Sequence, residues 1–323
     1  MKMKQLLVAS AIILITIAIS LISPSCSKKE NIFTIGFVQI LEDRTLDAGR
    51  ESVFKAIKDA GFKENIDYKI IYKNAQGEIS NIPLILRQFK SEKVDLVITN
   101  GTPCMVAAAQ FFTNIPVIYT IAFGPDQMGI KKPKTMTGVY DPFDMHYVLT
   151  EILKMMPKIK SLGLAYNTAE PNARFAADEI IKAANNLNLH LEVLGVESTS
   201  DLIQATEVLI QKDIDAIISS ADNRFNSALE SISKLASKKN IPIFITDPSN
   251  LSKGALAGIG ADYEEWGYES GKMAAEFIKG KKIEELKEIQ LLPYKFYLNM
   301  KIAKALNITI PDSMISKAGK IIY

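Results

Sequence analysis

Cysteine and histidine are scarce in this chain. Its 323 residues hold two of each, Cys26 and Cys104, His146 and His190. Two histidines so far apart do not make a clustered imidazole metal site, and no metal is expected. If Cys26 is committed to the N-terminus, Cys104 has no partner for an intramolecular disulfide. It lies in a small, apolar helical stretch and reads as a buried thiol. Charge of one sign is also lacking, with 38 Lys and Arg against 36 Asp and Glu. Without a clustered basic excess there is no footprint for nucleic acid. No Gly-x-Ser-x-Gly elbow occurs, and no Ser/His/Asp set stands close in sequence, so no catalytic residue is assigned and no enzyme is expected. Gly267-Tyr-Glu-Ser-Gly271-Lys272 superficially suggests a phosphate loop. It has one residue too few between its glycines, ends in Met273 and lies in helical text, so neither a nucleotide nor any cofactor is expected.

The start of the chain is organised differently. Lys2 and Lys4 precede the uncharged stretch 6–22, which Ser23-Pro-Ser-Cys26 follows. A basic start, an apolar middle and a small residue before the cut describe a secretory signal peptide over 1–25. Cys26 stands where a bacterial lipoprotein signal places its acylated residue, although Ser23 replaces the usual Leu. An uncleaved anchor is the alternative, since a spanning helix needs ~20 apolar residues. Pro24 and the polar run Ser27-Lys-Lys-Glu30 favour cleavage, with 26–31 left as a lipidated tether. The remainder is expected to lie outside the cytoplasm, held to the bacterial cell membrane by its lipid.

After the tether, short apolar runs alternate with longer amphipathic ones, the pattern of βαβ units on a parallel sheet. Strands are expected over 32–40, 68–72, 95–99 and 116–120, with helices over 46–60, 82–90 and 103–112. A Gly/Pro/Lys-rich passage at 124–134 and a helix at 145–156 follow, and then the pattern restarts. Strands at 162–166, 190–196, 215–219 and 242–246 alternate with helices at 173–186, 202–211 and 225–238. The halves overlay, Ile35-Gly-Phe-Val-Gln39 on Leu162-Gly-Leu-Ala-Tyr166 and Asp95–Thr99 on Asp215–Ser219. Ile115-Pro-Val falls likewise on Ile241-Pro-Ile, each pair about 120–127 residues apart. This predicts an α/β protein with two similar doubly wound lobes, lobe 1 over 32–140 and lobe 2 over 141–250. Residues 251–323 form a crossover and C-terminal segment, part of 255–323 returning to lobe 1. Crossovers between lobes are expected near 138–144 and 247–260.

In such sheets ligands sit beyond the carboxyl ends of the strands, where helix N-termini gather. Two facing lobes then enclose a cleft that closes by a hinge. The strand ends carry Gln39, Asn100-Gly-Thr102-Pro103, Tyr166-Asn167, Asp222-Asn223 and Thr246-Asp247. Thr102, Asp222 and Asn223 also read as helix caps, and Asp247-Pro248 as a turn. Asp222 and Asp247 on neighbouring strand ends would suit an ammonium.

Several of these stretches resemble the ABC-transporter substrate-binding proteins of the tryptophan/tyrosine type. They include Gln39-Ile-Leu-Glu42 with Leu46-Asp47, Tyr72-Lys-Asn-Ala-Gln-Gly77, Gly101-Thr-Pro103, Thr137-Gly-Val139, Tyr166-Asn167 and Asp222-Asn223. Gly254-Ala-Leu-Ala257, Asp262-Tyr263, Gly271-Lys-Met-Ala274 and Ile310-Pro311 continue the likeness from about residue 32 to the C-terminus. The resemblance implies a type I periplasmic-binding-protein-like fold, acting as a monomer that captures a small solute and delivers it to an ABC permease. Some members bind aromatic amino acids. By position it places Gln39, Thr102, Tyr166, Asn167, Asp222, Asn223, Asp247 and Tyr263 along the cleft, with Asn172 as a further candidate. Thr102 would receive a carboxylate, Asp222 and Asp247 an ammonium, and Tyr166 or Tyr263 would form a wall. Two departures leave the ligand open. Asp43-Arg44 stands where a His-Pro pair is common, and Phe123-Gly124-Pro125 where Thr-Asp-Pro is common, unless Asp126 supplies the missing acid. The alternative role is a ligand-sensing lipoprotein that partners a membrane receptor.

Overall fold

The computed structural model describes residues 32–323. The expected signal peptide, Cys26 and the tether up to residue 31 lie outside the described residues. Ten strands and helices follow in order from the start: β1 (Phe33–Gln39), α1 (Arg44–Asp59), β2 (Tyr68–Asn74), α2 (Ile82–Ser91), β3 (Leu96–Asn100), α3 (Thr102–Phe111), β4 (Val117–Phe123), β5 (Met136–Asp141), α4 (Met145–Met155) and β6 (Ser161–Asn167). Next come α5 (Pro171–Asn186), β7 (His190–Val196), α6 (Thr199–Leu209), β8 (Ala216–Ile218), α7 (Asn223–Ser237), β9 (Ile243–Ile245) and β10 (Ala257–Gly260). The chain ends with α8 (Tyr263–Ile278), β11 (Ile289–Gln290), β12 (Lys295–Asn299), α9 (Met300–Ala305), α10 (Asp312–Lys317) and β13 (Lys320–Ile322).

The strands form two sheets, in the orders β2-β1-β3-β4-β5-β11 and β7-β6-β8-β9-β10-β12-β13. The first is parallel throughout, and in the second only the β10–β12 pairing is antiparallel. Each sheet therefore opens with the same 2-1-3-4-5 order, and each reverses direction beside its first strand. The apolar runs explain why. Six of the seven residues of β1, and all of β3 and β4, are buried, as strands covered by helices on both faces must be.

The sequence-based boundary at 250 cuts the second sheet, because β10, β12 and β13 all lie beyond it. Helix α8 returns to the first lobe, where Trp266, Met273 and Ala274 join its core, and β11 extends the first sheet. The chain thus passes between the sheets at β5–α4, β10–α8 and β11–β12.

Gly267 and Gly271 serve the return of α8. A Cβ on Gly267 would stand 2.0 Å from the carbonyl oxygen of Gly49 on α1, and one on Gly271 2.3 Å from that of Val53. The glycines that resembled a phosphate loop are the contact where two helix backbones touch. Gly267→Ala is expected to destabilise the fold by about 3 kcal/mol, at the upper end of overpacking costs. An unchanged urea midpoint would contradict this.

Candidate functional site

A small cavity of about 30 Å³ lies between the carboxyl ends of the two sheets. The first lobe contributes Gly101, Thr102, Ile121, Phe123, Tyr263 and Trp266, and the second Asn172, Ala221, Asn223 and Thr246. Asp141 and Phe143 enter from the first connection between them.

One wall is aromatic. The Phe123 ring lies 4.8 Å from those of Phe143 and Phe175, and Tyr263 meets Trp266 edge-on at 5.7 Å. The Trp266 indole donates to the Val139 carbonyl oxygen at 2.7 Å, which holds the ring against the first sheet. Ile121 and Phe143, both lining the cavity, adopt left-handed conformations with φ of 48° and 50°. The Ile121 kink coincides with a register shift between β4 and β5 that re-aims Ala122 and Phe123. Such backbone costs roughly 1–3 kcal/mol per residue and concentrates at binding sites.

Polar groups face this wall from helix N-termini. Thr102 is the first residue of α3 and is followed by Pro103, so its N–H starts the helix without an intrahelical acceptor. Its Oγ1 accepts from the Phe123 N–H at 3.2 Å, which leaves the hydroxyl proton to donate elsewhere. Across the cavity, the Asn172 amide donates to Glu170 Oε2 at 3.0 Å and to the Ala221 carbonyl at 2.6 Å. The Asn223 amide donates to the same Glu170 oxygen at 2.7 Å. With both amide nitrogens turned to buried Glu170, the side-chain oxygens are what the second lobe can offer a ligand. Asn172 Oδ1 is buried without a hydrogen-bond partner among the described residues.

Asp141 is the acid on the cavity wall. Its Oδ1 accepts from the Phe143 N–H and the Tyr294 hydroxyl, both at 2.7 Å, while Oδ2 has no partner among the described residues. Burial pushes its carboxyl up to about 6, against the pull of those two bonds. Asp126 is exposed and does not line the cavity, whereas Asp141 does.

Of the nine residues named from sequence, Thr102, Asn172, Asn223 and Tyr263 line the cavity. The other five do not. Gln39 is fully buried, donating to Leu41 O and Asp47 Oδ1 and accepting from Arg50 and Asn100. Tyr166 packs on the second lobe's core. Asn167 donates its N–H to Asp222 Oδ2 at 2.6 Å. Asp222 caps α7, its Oδ1 accepting from the N–H groups of Arg224 and Phe225. Asp247 caps a short helical turn, accepting from the Ser249 N–H and the Asn250 amide. From sequence, Phe123 stands out only as a departure from the family pattern, and Asp141, Phe143, Trp266 and Glu170 are not named as site residues. Asp141-Pro142 ending an apolar run, the same pair as Asp247-Pro248, was the available signal.

Burial raises Asp222 and Asp247 to about 7, with the charges of Glu170 and Asp43 respectively adding to it. Tyr263 is pushed well above the usual phenol value by burial, then by the charges of Asp247, Asp141 and Asp43. Burial would raise Asp43 too, but Thr45 and Lys253 hold it low. The Lys253–Asp43 pair, at 3.2 Å, and the Arg224–Glu78 pair, at 3.9 Å, each join one lobe to the other.

The three raised carboxyls give a sign to the pH dependence. Unfolded, they release protons near 3.8, whereas folded Asp141, Asp222 and Asp247 keep them to about 6–7. The folded state binds more protons in that window, so stability without ligand is expected to fall as pH rises from about 4 to 7. Asp43 and Asp215, held below the usual value, act beneath that window. A urea midpoint that climbed between pH 5 and 7 would contradict this.

Two lobes of one topology, joined by three connections beside a cavity with polar and aromatic walls, define a two-lobed solute-binding protein. The chain belongs to the ABC transporter substrate binding protein family, which it matches over residues 34–322. It is 32% identical over 286 residues to the tyrosine-binding protein of Clostridioides difficile, covering 87% of this chain and 82% of that one. Among solved structures it resembles an ABC domain in complex with L-Trp from Streptococcus pneumonia, at 26% identity and a TM-score of 0.83, covering 90% and 99% of the two chains. A substrate binding protein with adhesive properties from Clostridium difficile, solved in a ligand-free, open form, is similar over the same shares at 27% identity and a TM-score of 0.68. At nearly equal identity, the arrangement described here fits the L-Trp complex better than the open form.

Proposed function

We propose that this chain is the extracytoplasmic solute-binding lipoprotein of an ABC importer, capturing an aromatic α-amino acid by hinge closure and handing it to the permease. It works as a monomer, tethered through Cys26, and performs no chemistry on its ligand. The observation that carries the ligand class is the pairing of Asp141 and the unpartnered Asn172 Oδ1 with a cavity wall of Phe123, Phe143, Tyr263 and Trp266.

The groups sort by charge. An ammonium would sit against Asp141 and the amide oxygens of Asn172 and Asn223, all acceptors. A carboxylate would take the Thr102 N–H and hydroxyl at the positive end of α3. The side chain would lie among the rings, where Tyr263 and Trp266 offer the edge-and-face contacts aromatic groups prefer. The tyrosine-binding relative and the L-Trp complex support the same ligand class.

Thermal shift followed by calorimetry across the amino acids tests the reading. At 100 times its dissociation constant a ligand adds ~2.7 kcal/mol to stability. L-tyrosine, L-tryptophan or both should give such a shift. A response confined to solutes without an α-amino group would contradict the assignment.

A further inference from the structure

Asp141 ends β5 and starts the first connection between the lobes, while Tyr294 lies in the third, between β11 and β12. A chain of hydrogen bonds ties these two connections together. The Asp144 N–H donates to the Tyr294 hydroxyl oxygen at 2.7 Å, and that hydroxyl donates to Asp141 Oδ1 at 2.7 Å. The Phe143 N–H reaches the same Oδ1, also at 2.7 Å, from the left-handed turn that puts the Phe143 ring into the cavity. On its outer side the Tyr294 ring stands 6.0 Å from Tyr147 and, with Pro142 and Leu292, lines a groove along the hinge. Tyr294 is thus held from behind while its hydroxyl reaches forward to the one carboxylate on the cavity wall.

We infer that Tyr294 is a positioning residue: from a hinge connection its hydroxyl locks Oδ1 of Asp141, so that Oδ2 is the oxygen presented to the ligand's ammonium. The inference rests on the amino-acid reading of the site. It makes ammonium binding sensitive to hinge geometry, because any rotation of the lobes bends the connection that carries Tyr294. The ionisable groups around Asp141 are Tyr294 and Asp144 from the hinge and Tyr263 from α8. Burial and the Asp141 charge push the Tyr294 phenol above its ordinary value, and Tyr263 is likewise raised. Asp144 accepts from the Tyr147 N–H at 2.9 Å as the cap of α4. Asp141 is therefore the group whose titration reports the Tyr294 bond.

The test is Tyr294→Phe in the whole protein, which deletes only the hydroxyl. The Asp141 carboxyl is followed by carbon NMR without ligand, its signal identified by its loss in Asp141→Asn. Its midpoint should move up from about 6 by about one pH unit, because a donor to the charged form is gone. Calorimetry at pH 6.5 should show L-tryptophan about tenfold weaker, with its deaminated analogue 3-indolepropionate unchanged. An unmoved midpoint, or an equal loss for both ligands, would overturn the inference. If Tyr294→Phe does not fold, 3-fluorotyrosine at position 294 keeps the shape and strengthens the donor. The midpoint should then fall, and an unmoved one overturns the inference. If the unaltered protein binds no amino acid, the ligand reading fails, while the titration still decides the role of Tyr294.

Discussion

Asp141→Ala is expected to weaken L-tryptophan and L-tyrosine by about a hundredfold. Truncating one partner of a buried, hydrogen-bonded charge pair costs roughly 2–5 kcal/mol, and each 1.4 kcal/mol is about tenfold in affinity. The loss should be confined to ligands with an ammonium, so the deaminated analogue 3-indolepropionate should bind both proteins alike. The pH profile gives an independent signature. Because the ligand-free carboxyl titrates near 6, affinity for the unaltered protein should rise between pH 5 and 7 as Asp141 ionises. In Asp141→Ala that rise should disappear. Calorimetry across this range reads both effects, and a variant that kept its affinity would remove Asp141 from the ammonium site.

Asp222→Ala should behave in the opposite way, losing stability much more than affinity. Its carboxylate accepts from three backbone N–H groups, those of Asn167, Arg224 and Phe225, in a fully buried setting. Loss of an N-cap costs about 1 kcal/mol, and each buried donor left without an acceptor adds about 1–3 kcal/mol, so a total of about 2–4 kcal/mol is expected. Urea unfolding measures it directly. Should Asp222→Ala fold as well as the unaltered chain while losing amino-acid binding, Asp222 and not Asp141 would be the ammonium partner.

The contrast between these two acids marks how far the sequence is legible. Both lobes can be read from matched apolar runs, because β1 with β6, β3 with β8 and β4 with β9 are buried strands in one order. The fifth strands are harder. β5 includes Gly138, where a Cβ would strike the Tyr119 carbonyl oxygen at 2.3 Å, and β10 is only Ala-Gly-Ile-Gly. Glycine has low strand propensity, so both stretches read as crossovers although close packing requires it there. Residues 138–144 thus hid Asp141 and Phe143.

At the site, position along a strand says which residues reach the cleft edge, not where their side chains turn. Gln39 reaches that edge but is drawn inward by Asp47 and Arg50, in the first two turns of α1. Asp222 is claimed by the unpaired N–H groups of α7, a local demand that a distant ligand does not outweigh. Asn172 escapes because Glu170 takes its nitrogen and leaves its oxygen over. That arrangement depends on three elements meeting, and no single stretch of sequence displays it.

Small-angle scattering with and without saturating L-tryptophan or L-tyrosine tests the central claim most directly. Closure of the two lobes over an aromatic amino acid predicts a smaller radius of gyration with ligand, and a liganded curve that fits the arrangement described here. Superimposable curves, under conditions where calorimetry shows the amino acid bound, would contradict it.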